Sequence, residues 1–216
     1  DGSKLAVAAA ARRSDNQVSH GYVVDLASGV VRSVTPEKFR GHTSWVGWKD
    51  DKTVLCRSGE GVDVTLATVR TDGSDRTVVL SSASSNMTFG SVSCIPGVKA
   101  MAFVGQSPTS PGDLYVWVPG GPVERITTLN PSLSKTELGT QSVVHYASRD
   151  GVPLEGLLIT PVGYEKGKKY PLIVVVHGGP EYHWSNSWLT SYGEPGQVFA
   201  GKGYAVFYPN YRSGTG

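Results

Sequence analysis

The run Tyr170-Pro-Leu-Ile-Val-Val-Val-His-Gly-Gly-Pro180 holds the most legible chemistry in this chain. An apolar strand ends abruptly at His177, and Gly178 and Gly179, lacking side chains, leave backbone N–H groups open to an approaching carbonyl. Donors placed this way stabilise the oxyanion of a tetrahedral intermediate, so the loop reads as one side of an oxyanion hole for acyl transfer. A nucleophile to match it is missing. A serine exposed on a strained strand-to-helix turn needs Gly-x-Ser-x-Gly, and the nearest stretch, Gly105-Gln106-Ser107-Pro108-Thr109, is spoiled by its Pro and Thr. Ser213 has no glycine two residues before it and reads as a loop serine.

Residues around this loop have two roles open to them. His177 precedes any position where a nucleophile could stand, so orienting the loop by hydrogen bonding suits it better than acting as base. Glu181, Tyr182, His183, Trp184 and Trp188 crowd the segment after the glycines. Of these, Glu181, Tyr182, Trp184 and Trp188 are candidate substrate contacts, because rigid aromatics suit a binding wall; packing at a domain interface is the competing role. Arg212 either holds a substrate carbonyl or carboxylate through its planar fork or pairs with a loop carboxylate. His20, His42 and His145 lack metal-ligand spacing, and nothing marks Glu60 or Asp63 as a site. Cys56 and Cys94 are the only cysteines and lack a CxxC or zinc pattern, so they read as small apolar fillers rather than a bridge.

The elements that position the loop fall into two groups. Before Thr128 a turn-then-strand unit recurs around Gly2, Asp51 and Gly97, about 45–50 residues apart, close to the ~40–50 residues of a four-stranded propeller blade. Gly21–Leu26, Asp63–Val69 and Asp113–Val118 occupy a common slot, each leading through Ala-Ser-Gly, Asp-Gly-Ser or Pro-Gly-Gly into an expected edge strand at Val30–Thr35, Arg76–Leu80 or Val123–Thr128. The count is one partial and two whole blades. A β-sandwich is the alternative, and the matching turn types favour the propeller.

After a linker at 131–136 the pattern changes. Ser142–Ala147 and Leu154–Thr160 flank a hairpin turn tipped by Asp150-Gly151, a buried strand is expected at Pro171–Val176, a helix at Gly196–Lys202, and another strand at Tyr204–Tyr208. Two antiparallel strands leading into strand–helix–strand fit the entry to an α/β-hydrolase sheet. The expected fold is therefore mixed: the C-terminal part of an all-β propeller over 1–130 (about two and a half blades), then the N-terminal part of an α/β-hydrolase domain over 137–216. In that fold the order is Ser, Asp or Glu, then His, all after the oxyanion loop, so the triad is expected beyond residue 216.

Composition narrows the classes. The chain has 216 residues, 39% of them hydrophobic, with 20 basic against 18 acidic residues and a formal charge of +2. This gives no argument for nucleic acid or an anionic membrane as partner. No apolar run approaches the roughly 18 residues of a membrane span. Because the first residue is Asp1, upstream sequence is expected to be missing, which leaves the compartment open between cytoplasmic and periplasmic or secreted.

With these residues in view the chain resembles the prolyl oligopeptidase family of serine peptidases, closest to its acylaminoacyl-peptidase and dipeptidyl-peptidase-like members. The resemblance rests on His177-Gly-Gly-Pro180, the lead-in Gly201-Lys-Gly-Tyr204, Pro209-Asn-Tyr-Arg-Ser-Gly-Thr-Gly216 and the upstream propeller. Similar chains read Gly-Ser where this one has Ser213-Gly214. The resemblance implies hydrolysis of short peptides by a Ser-Asp-His triad, access restricted by the propeller, and no metal or organic cofactor; the sequence leaves the oligomeric state open, an oligomer being compatible with it. A propeller-based binding module with a vestigial hydrolase segment, or an esterase of the same fold, are the alternatives.

Overall fold

The computed structural model describes residues 2–13, 17–95, 97–179 and 182–215. Among them, β1 (Lys4–Ala10), β2 (Ser19–Asp25) and β3 (Val31–Ser33) form a three-stranded antiparallel sheet. A second, four-stranded sheet holds β4 (His42–Asp50), β5 (Thr53–Glu60), β6 (Asp63–Arg70) and β7 (Thr77–Ser81), followed by a short helix α1 (Ser82–Ser85). The third, also four-stranded, holds β8 (Thr88–Cys94), β9 (Met101–Ser107), β10 (Ser110–Trp117) and β11 (Val123–Arg125). In each sheet consecutive strands pair as a meander.

Sheet packing explains the apolar run in β5. Val54 and Cys56 point into a cluster with Val23, Val34 and Val69. Leu55, between them, points into the cluster of Leu66, Met87, Phe89, Phe103 and Trp117. Alternate residues face opposite sides of a strand, so a strand covered on both faces is apolar at successive positions.

The three sheets share a device that ends the edge strands. Thr35 Oγ1 accepts the Gly21 amide at 2.7 Å, Ser82 Oγ accepts the Val64 amide at 2.9 Å, and Thr127 Oγ1 accepts the Leu114 amide at 2.9 Å. In the second and third sheets the same hydroxyl donates to the preceding carboxylate, Asp63 or Asp113, at 2.7 Å. A hydroxyl thereby replaces a ladder carbonyl and the chain turns away, which is why β3 and β11 are shorter than the expected edge strands.

A 3-10 helix at Pro131–Lys135 leads to a fourth sheet of β12 (Gln141–Ala147), β13 (Pro153–Ile159), β14 (Leu172–Val174) and β15 (Ala205–Asn210), with helix α2 (Gly196–Ala200) between the last two. The order is β12-β13-β15-β14, and only β14 and β15 run parallel. Where a buried strand is expected at Pro171–Val176, β14 pairs with β15 alone among the described residues; Ile173 and Val175 turn toward the core, and Leu172, Val174 and Val176 are 57%, 50% and 64% exposed.

The β5–β6 turn ties this sheet to the second one. Val62 is buried with Leu157, Trp184, Leu189, Val206 and Tyr208. Its amide donates to Glu155 Oε1 at 2.7 Å, and its carbonyl accepts the Asn186 amide at 2.8 Å. Gly61 (φ +64°) leaves room for that carboxylate, since a Cβ there would lie 2.2 Å from Glu155 Oε1.

Candidate oxyanion site

The site stands where the parallel pair β14 and β15 ends, so His177 after one strand and Tyr211 after the other come together although far apart in sequence. His177 is buried. Its ring stacks on Tyr211 at 4.2 Å and 17°, with Tyr182 and Trp184 edge-on at 5.4 and 5.9 Å. The Tyr211 hydroxyl donates to the His177 carbonyl oxygen and lies 3.0 Å from Nδ1, which is also 3.0 Å from the Gly178 carbonyl oxygen. These oxygens favour a proton on Nδ1. The buried Nε2 has no partner among the described residues.

Gly178 and Gly179 are exposed, and among the described residues neither amide is hydrogen-bonded. They differ sterically. A Cβ on Gly178 would meet nothing within 4 Å, whereas Gly179 sits at φ +142°, a conformation L side chains rarely adopt. Pro180 and Glu181 lie outside the described residues.

The other expected site residues separate by surroundings. Trp184 is buried and edge-on to Tyr208 at 5.0 Å, so its ring is engaged in packing, while its backbone N–H and carbonyl are held by the Asn210 side chain at 2.7 and 2.9 Å. Trp188 is half-buried and donates Nε1–H to the Thr190 carbonyl at 2.8 Å. Tyr182 remains half-exposed beside His177. Arg212 reaches back to the β12–β13 hairpin tip, pairing with Asp150 and donating to Ser148 Oγ at 3.2 Å; its loop-carboxylate role is the one the geometry contains.

Residues distant in sequence line the rest of the site. A cleft of about 320 Å³ is lined by His145, Glu155, His183, Tyr211, Arg212 and Gly214, among others. Glu155 is among its lining residues, with one oxygen on the Val62 amide and the other 3.7 Å from His145 Nδ1. His183 contacts Thr215 Oγ1 at 3.1 Å and Ser185 Oγ at 3.3 Å. Burial, reinforced by His42, Arg57 and His177, pushes its imidazole down to about 4. Of these, Tyr211 was visible only as part of the Pro-Asn-Tyr-Arg run, and Glu155 carried no local signal, since its partner lies 93 residues away.

No family model matches the chain. It is 33% identical over 110 residues to an uncharacterized peptidase, YuxL, of Bacillus subtilis (strain 168), covering 50% of this chain and 16% of that protein. Over 59 residues it is 44% identical to a probable dipeptidyl-peptidase 5 of Emericella nidulans, covering 27% of this chain and 8% of that one. The solved acylaminoacyl peptidase of Pyrococcus horikoshii superposes with a TM-score of 0.77 at 21% identity, over 100% of this chain and 32% of its own.

The chain matches peptidases of the prolyl oligopeptidase family. It spans less than a third of the length of each of these three proteins.

The Ser213-Gly214 pair carries a conformational cost. Ser213 holds φ +70°, and a Cβ on Gly214 would lie 2.8 Å from the Tyr182 carbonyl oxygen. Position 213 thus asks for glycine by backbone angle and 214 by close approach; this chain satisfies only the second.

Proposed function

We propose that this chain is part of a serine-type peptidase. In this reading residues 1–130 are the last blades of a propeller, 131–136 a linker, and 137–216 the opening of an α/β-hydrolase catalytic domain. The observation that carries the reading is the pair of exposed, unengaged amides at Gly178 and Gly179, at the end of a strand parallel to its neighbour. Nearby, Tyr211 holds the His177 carbonyl and ring and so fixes the orientation of the peptide unit that carries the Gly178 N–H.

A scissile carbonyl bound there gains little from these amides while it is neutral and much more once its oxygen becomes anionic, so the loop acts on the transition state. His177 keeps its orienting role and transfers no proton. The nucleophilic serine, the aspartate and the base histidine follow in the sequence after Gly216. The propeller limits access and selects short peptides.

The test is hydrolysis of aminoacyl and dipeptidyl p-nitroanilides by the protein extended through the sequence that follows Gly216. Turnover blocked by a serine-directed inhibitor is expected, together with none by the 216-residue chain. Absence of turnover in the extended protein, or inhibitor-sensitive turnover by residues 1–216 alone, would overturn the reading.

A further inference from the structure

Arg57 is a half-buried cation to which the described residues offer no carboxylate. It forms no ion pair among them, whereas the other half-buried arginine, Arg76, holds Glu60 at 2.6 Å. Glu60 is the acid nearest along the strand, and Thr65 Oγ1 also donates to it, at 2.5 Å. Arg57 Nε–H donates to the Phe89 carbonyl at 2.8 Å and Nη1 to Ser44 Oγ at 2.5 Å, so the guanidinium bridges the second and third sheets and ends beside an exposed hydroxyl. Nη2 has no partner among the described residues.

The surroundings give this cation a direction. The register slips between Thr43 and Trp45, leaving Ser44 as the extra residue of a bulge, a device that re-aims a side chain. Strand alternation puts Gly59 on the same face of β5 as Arg57. His183, from the segment following the Gly178–Gly179 loop, lies over Gly59: a Cβ there would be 2.7 Å from its ring. His42 pairs with Gly59 across the ladder. Arg57 therefore shares its face with two histidines, and its charge adds to burial in holding both neutral. A partly desolvated guanidinium to which no described residue offers an anion favours one from outside, and its planar fork matches a carboxylate.

We propose that Arg57 receives the C-terminal carboxylate of the peptide substrate, on the face between the second sheet and the segment after the oxyanion loop. The proposal rests on the peptidase reading for the identity of the ligand. It assigns the protein a preference for peptides with a free carboxylate beyond the scissile bond.

The experiment is calorimetry on the full protein with one dipeptide whose peptide bond is reduced and non-hydrolysable, as its C-terminal acid and as its amide. The acid should bind about tenfold more tightly, as a charge-assisted pair would give. Arg57→Gln should remove the difference and Arg57→Lys retain part of it. Equal affinity of acid and amide for the unmodified protein overturns the proposal without any variant, so a variant that misfolds does not shield it. Sodium sulfate competing with both forms alike, with acid no better than amide, would mark a simple anion site and overturn it too. Because binding is read without turnover, failure of the Arg57 site and failure of the peptidase reading are separate results.

Discussion

Acidification should destabilise this protein through His183, and the size can be worked out. The imidazole's ordinary value is 6.5, and in the fold it is pushed down to about 4, first by burial and then by His42, Arg57 and His177. The unfolded chain therefore takes up a proton near pH 6.5 that the folded chain refuses until about pH 4. Stability from this group is complete above pH 6.5, falls as pH drops, and levels off below pH 4. At about 1.4 kcal/mol per pH unit the full loss is roughly 3 kcal/mol, which for a chain of this size is a fall of ~6–12 °C in melting temperature. The assay is thermal melting between pH 7.5 and 4 for the unmodified protein and for His183→Gln, which keeps a polar group near Thr215 and Ser185 but does not titrate. His20, also held below the usual histidine range by burial, contributes equally to both curves, while His42, coupled to His183, is controlled by repeating the comparison in a His42→Gln background. The gap between the two curves should shrink by about 3 kcal/mol between pH 6.5 and 4; parallel curves would refute the reasoning, because His183 would then ionise freely in the folded state.

Other substitutions test other parts of the structure. If the extended protein turns over as proposed, Gly179→Val should lower kcat by about 10²–10³-fold with little change in KM, through loss of one oxyanion donor. Gly178→Ala, whose Cβ meets open space, should leave kcat within about threefold, because the N–H stays in place; steady-state kinetics beside a melt would show either outcome. Ser213→Gly should stabilise by about 1 kcal/mol in urea unfolding by removing a left-handed serine. Gly214→Ser should destabilise, since its Cβ would press on the Tyr182 carbonyl. Burial raises the Cys56 thiol to about 11, so with a thiol-reactive disulfide at pH 8 Cys94 should label first and Cys56 only as the protein unfolds.

Local chemistry was legible in the sequence. The turn triplets marked the hairpins because Gly29 and Gly73 take positive φ, and Asp25 and Asp72 bond forward to Ser28 and Ser74 within the same turn. The strand ending in His177-Gly-Gly was equally visible, since abrupt loss of side chains after an apolar run is a property of neighbours in the chain. At Pro171–Val176 only Ile173 and Val175 face the core among the described residues, because a strand's burial depends on which strands and helices cover it and not on its own residues.

What only the tertiary structure decided is every contact made across long stretches of chain. Tyr211 meets His177 across 34 residues, Glu155 meets the Val62 amide across 93, and Arg57 meets the Phe89 carbonyl across 32. The hydroxyls of Thr35, Ser82 and Thr127 repeat one bond in three sheets, yet the residues around them share no pattern beyond a Ser or Thr. A hydrogen bond needs one donor at one point in space, and many sequences deliver that. An apolar strand or a tight turn must satisfy every residue along it, so its requirements are written where they act.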